Sequence, residues 1–183
     1  MGIALINAKI EPVNLRKAIL KEHSKAQTNR IVRWIGSNPE RFDELIRLFL
    51  NDEYRVVQRA AWPLSYCAVN QPQLIRKHLG PLIRNLQKPK TGDAVKRNTL
   101  RLLQFLDPPK RLDGLLMNLC FGYVQDPGEK PAIKAFALTV LNNLSKRYPD
   151  IRREMETIIT ERWDTETPAF RARARKMLSK ASR

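Results

Sequence analysis

Apolar residues recur along this chain with the period of an α-helix rather than the alternation of a half-buried strand. Four stretches align without gaps when anchored on Val57, Val95, Ile133 and Phe170, at successive steps of 38, 38 and 37 residues. Four places after each anchor stand Ala61, Thr99, Ala137 and Ala174. Seven and eight places after stand Leu64/Ser65, Leu102/Leu103, Val140/Leu141 and Met177/Leu178. Anchor, +4, +7 and +8 form one helical face, so each stretch is an amphipathic helix, called B here. The small residue at +4 lets a neighbouring helix approach toward the short end of the roughly 8–10 Å interaxial range. Another apolar helical stretch precedes each B helix: Phe42 to Leu50, Leu74 to Leu86, Leu112 to Val124 and Ile151 to Trp163. Each unit reads as helix A, short turn, helix B, and the chain as all-α.

Boundary signals agree with that reading. Asn38-Pro39 and Thr167-Pro168 place a capping side chain before a proline at the first helical position, where a missing N–H costs nothing. Asp107-Pro108-Pro109 and Asp126-Pro127-Gly128 interrupt the chain between helices. Pro63 falls inside the B helix that begins near Tyr54, where it removes a bond to the carbonyl of Arg59 and is expected to bend the helix. Before Gly36, Leu15, Ile19 and Leu20, then Ile31, Val32 and Ile35, form two further apolar faces outside the 38-residue register, as a capping helix or half-repeat would.

Asp52, Val57, Gln58 and Ala61 in the first unit, with Val95-Lys96, Ile133-Lys134-Ala137 and Phe170-Arg171-Ala174 in the later ones, resemble the second helix of the HEAT repeat. That helix carries an aspartate five residues before a valine, then a basic residue, then an alanine at +4. The resemblance covers Phe42 to Ala181. It implies a right-handed α-α superhelix of about four helical pairs in a single domain, with residues 1–38 as an N-terminal cap and 39–183 as the repeats. It also implies that Lys96, Lys134 and Arg171 pair with acids in neighbouring inter-helix loops. Two departures stand out: Gln58 replaces the basic residue, and Asp93, Asp126 and Asp164 miss the aspartate position by one to three places.

At 183 residues and 43% hydrophobic, the chain is long enough for a sizeable core. Its 34 Lys and Arg against 18 Asp and Glu give a net charge of +16 and a pI near 10.4. The excess is not a tail, since 16 basic and 7 acidic residues lie up to Lys90 and 18 and 11 after it. Such a balance favours polyanionic partners. Cys67 and Cys120 sit in apolar stretches without metal or disulfide spacing, as small core residues of a reducing compartment do. No run of eighteen apolar residues exists, and Ile3 to Ile6 is too short for a signal peptide, so the expectation is a cytoplasmic protein away from membranes.

No motif of nucleotide binding, zinc hydrolysis or serine catalysis is present. His23 and His78 are scattered on charged helices, and two Cys with two His at these spacings make no zinc site. No catalytic residue, metal, cofactor or small-molecule substrate is therefore expected. The candidate binding residues are Arg59, Arg97, Arg101, Arg173 and Lys176, which occupy the +2, +3 and +6 columns opposite the apolar stripe. If B helices line the inner curve, as the resemblance implies, these form a basic concave strip; a plain solvated face is the alternative. Tyr66 is a further candidate, while Trp62, Trp34 and Trp163 read as packing residues. The leading expectation is a non-enzymatic scaffold that binds a polyanion, DNA or RNA backbone foremost. The alternatives are a scaffold for an acidic protein and, since bacterial alkylation-repair glycosylases are built from HEAT-like repeats, an enzyme of that kind. Against the last, no aspartate lies on the B-helix strip beside Arg59, Trp62 and Tyr66.

Overall fold

The computed structural model describes residues 14–89 and 91–178, and the Ile3 to Ile6 stretch and the end of the repeat match at Ala181 lie outside them. The described chain is all-α: α1 (Leu15–Lys21), α2 (Lys25–Ile35), α3 (Pro39–Asn51), α4 (Tyr54–Asn70), α5 (Pro72–Arg76), α6 (Leu79–Asn85), α7 (Asp93–Leu103), α8 (Asp113–Gln125), α9 (Pro131–Leu144), α10 (Ile151–Arg162) and α11 (Pro168–Leu178), with a 3₁₀ turn at Lys110–Leu112. It divides into two compact units, one up to Cys67 and one from Ala68.

In the N-terminal unit, side-chain oxygens of Asn14, Ser24 and Asn38 cap α1, α2 and α3 by accepting from Lys17, Gln27 and Arg41 backbone N–H groups. α2 ends at Gly36, whose φ of +51° favours glycine and lets its N–H reach the Val32 carbonyl. Leu15, Ile19, Phe42, Leu45, Phe49, Val56 and Leu64 are completely or almost completely buried. α4 does not end at Pro63 but remains helical to Asn70, with Pro63 itself buried.

In the C-terminal unit α9 is the central helix, packed on α8, α7, α11 and α10. The B helices α7, α9 and α11 are thus consecutive neighbours. The A side is tied at a 37-residue interval: Tyr123 on α8 donates to the Leu86 carbonyl, and Arg162 on α10 to the Gln125 carbonyl. All four +4 residues are buried, Ala61 and Thr99 as well as Ala137 and Ala174, so the register read from the sequence is the register of packing. One A helix differs from expectation. The stretch Leu74 to Leu86 is two short helices, α5 and α6, because Pro81 has no N–H to offer the Lys77 carbonyl; the chain turns at His78, whose N–H meets the Ile75 carbonyl at 2.9 Å.

Candidate functional site

The cations one place after each anchor are held internally. Lys96 Nζ lies 2.9 Å from Glu129 Oε2, and Lys134 Nζ 2.6 Å from Glu166 Oε1. Arg162 also donates to Glu166 at 2.7 Å. Arg171 donates to the Trp163 carbonyl at 3.5 Å. The acids are not Asp126 and Asp164 but two glutamates, each four places before the next anchor. That common offset was the sequence signal for them. In the N-terminal unit the same arrangement joins Arg16 to Asp52 through three hydrogen bonds of 3.0–3.2 Å. Leu15 and Arg16 therefore act as an anchor and +1 cation 42 places before Val57 rather than 38, which is why α1 escaped the register.

These pairs also set protonation. The Arg16 guanidinium holds the Asp52 carboxyl below its ordinary pKa. Burial alone would push Glu166 up, but hydrogen bonds from Lys134 and Arg162 outweigh it and bring the net value below the ordinary one.

With the +1 column occupied, the outward columns decide what the B helices present. On α7, Arg97 and Arg101 are exposed; on α11, Lys176 is exposed and Arg173 half-exposed. α9 supplies no cation there, having Ala135, Phe136 and Thr139 at the matching places. The strip in this unit is therefore two basic rungs on either side of an uncharged one. Arg59 corrects a further expectation. Instead of facing solvent freely it is half-buried, and its Nη1 donates to the Leu20 carbonyl at 2.6 Å. Its work is to tie α4 to the end of α1, where His23 also lies against Trp62 with ring centroids 5.5 Å apart. Tyr66 is 37% exposed, and Tyr54 at the start of α4 is 64% exposed. Trp34 and Trp163 are half-buried, with Arg41 and Arg175 over their rings.

Three further buried titratable groups have structural roles. Asp113, the one buried aspartate among the described residues, accepts from Arg147 and from the Tyr148 hydroxyl at 3.1 and 3.0 Å. Burial pushes the Cys67 thiol up to about 12 and raises Cys120 as well, which leaves both as thiols at neutral pH. Among the described residues no group of three or more His, Cys, Asp or Glu could hold a metal ion, and no helix is long and apolar enough to cross a membrane. The sequence reading missed one exposed feature, Phe105, which lies just past the end of α7, four residues after Arg101. Sequence spacing was the available signal, since Arg97, Arg101 and Phe105 stand at +2, +6 and +10 from Val95.

A family model described as a HEAT repeat domain matches residues 15–181. No curated protein and no solved structure matches the chain.

Proposed function

The chain belongs to the HEAT-repeat family, whose helical pairs serve in general as binding scaffolds, and from that premise we propose a non-enzymatic protein that grips a polyanion, nucleic-acid backbone foremost, through Arg97 and Arg101 on α7 and Arg173 and Lys176 on α11. One observation carries the reading: the +1 cations have internal partners, whereas Arg97 and Arg101 are exposed and pair with no acid among the described residues. Two like charges one turn apart on a helix repel each other. A chain of phosphates relieves that repulsion and releases its own counterions on binding. Rungs on α7 and α11 two helix spacings apart would stand about 20 Å from each other, a span that suits a backbone grip rather than a small ligand.

The experiment is fluorescence anisotropy of labelled single- and double-stranded oligonucleotides at low salt, with wild type and an Arg97→Gln, Arg101→Gln, Arg173→Gln variant. Binding by wild type that the variant loses supports the reading. Binding of neither strand form, or full retention by the variant, overturns it. Incubation with alkylated DNA is expected to release no free base; release above buffer would replace binding with catalysis.

A further inference from the structure

The outward row of α7 does not stop at Arg101. Phe105, two residues past the last residue of the helix, is 74% exposed, more than any other large hydrophobic side chain among the described residues. The backbone beneath it closes one last, tighter turn, with the Phe105 N–H on the Leu102 carbonyl three residues back at 3.0 Å. Arg97 and Arg101 are four residues apart on α7, about 6 Å of rise and 40° of turn, and Phe105 follows Arg101 at the same sequence spacing just past the helix end.

The ring's base is also fixed. Asn143 at the end of α9 donates to the Gln104 carbonyl at 3.0 Å, and Arg147 binds Asp107 and Asp113, each at 3.1 Å, on the stretch that follows. A single exposed apolar side chain needs no explanation on its own. An exposed aromatic ring one four-residue step beyond two exposed arginines, on a backbone held by Asn143, is a different arrangement. It offers a π-face at one end of a row of positive charge, which is the combination that single-stranded nucleic acids use.

We infer that the polyanion of this site is a single-stranded nucleic acid, with phosphates on Arg97 and Arg101 and an unpaired base stacked on Phe105. The inference rests on the polyanion reading given under Proposed function and narrows its ligand. A duplex keeps its base faces inside its own stack and can offer only phosphates, so it leaves Phe105 unused. The adjacent rung on α9 adds no charge of its own, because Thr139 donates to the Ala135 carbonyl and Asn143 to Gln104, and Asp107, two residues past the ring, is paired with Arg147 at 3.1 Å.

The test compares a labelled oligothymidine with an abasic sugar-phosphate strand of equal length, for wild type, Phe105→Ala, Phe105→Trp and the triple Arg97, Arg101, Arg173→Gln variant. Stacking by one base corresponds to about a 5- to 150-fold change in affinity. Phe105→Ala is expected to weaken oligothymidine binding within that range and leave the abasic strand unchanged. Phe105→Trp is expected to keep the affinity. Equal loss for both strands, or loss for neither, overturns the stacked base while the polyanion reading stands, provided the triple variant still loses both. If wild type binds neither strand, the single-stranded reading is overturned, and the polyanion reading falls with it when a duplex of equal length is not bound either. Polyglutamate that competes with the same dependence on Phe105 would assign the row to an acidic protein instead.

Discussion

Lys134 is only 3% exposed, and a lysine so placed is tolerable because Glu166, at 2.6 Å, is buried beside it and also receives Arg162. Removing one partner leaves a buried charge without its counterion, which costs about 3–5 kcal/mol, a large part of an ordinary domain's stability of roughly 5–15 kcal/mol. Glu166→Gln is therefore expected to lower the denaturant midpoint substantially, and Lys134→Met combined with Glu166→Leu to recover most of the loss. The pH dependence follows from the depressed carboxyls of Glu166 and Asp52. Their contribution is complete above the ordinary values, 4.5 and 3.8, and is lost as pH falls through the lower folded ones. Acid unfolding followed by circular dichroism should show less pH dependence in Glu166→Gln than in wild type; equal dependence would remove Glu166 from the acid limb. The cation column was legible in the sequence, and so was its pairing with acids at Lys96 and Lys134, whereas Arg171 meets the Trp163 carbonyl instead of an acid. Of its acids Asp52 stood where an aspartate was expected, but the later two were missed, because the chain uses glutamates there at a different offset.

At the scale of elements, apolar period and proline punctuation located most helices to within a residue or two. The exceptions have local causes. Leu74 to Leu86 keeps its helical apolar face, but a missing N–H at Pro81 divides it into α5 and α6. Pro63 has the same missing donor, yet α4 continues past it, since buried neighbours on the same helix, including Val56, Ala60 and Leu64, hold both sides in place. Periodicity sees a hydrophobic face and cannot weigh one lost hydrogen bond against packing. The +4 column tests the element register most sharply. Ala137 is fully buried on α9, the helix that packs on α7, α8 and α11. Ala137→Leu should overpack that contact and destabilise by about 1–3 kcal/mol. Unchanged thermal unfolding would mean that the column does not lie at a helix–helix contact.

At the scale of the whole molecule the charge is uneven. Up to Cys67 there are 11 basic and 7 acidic residues, a net of +4; from Ala68 on there are 23 and 11, a net of +12. The total was plain from composition, but its usable part was not. Arg59 stands in the right column and is tied to a carbonyl, α9 stands in the right place and has no cation, and Phe105 is exposed but lies past the end of α7 and of the repeat pattern. A column in an alignment fixes the direction of a side chain and leaves its partner open. The central claim is that Arg97, Arg101 and Arg173 neutralise phosphates. Its most direct test is the salt dependence of nucleic-acid affinity. Three contacts predict that log K falls against log salt with a slope of about −2 to −3, and that changing the three arginines to Gln flattens the slope without loss of helicity. A slope near zero in wild type, or an undiminished slope in the variant, would contradict the account.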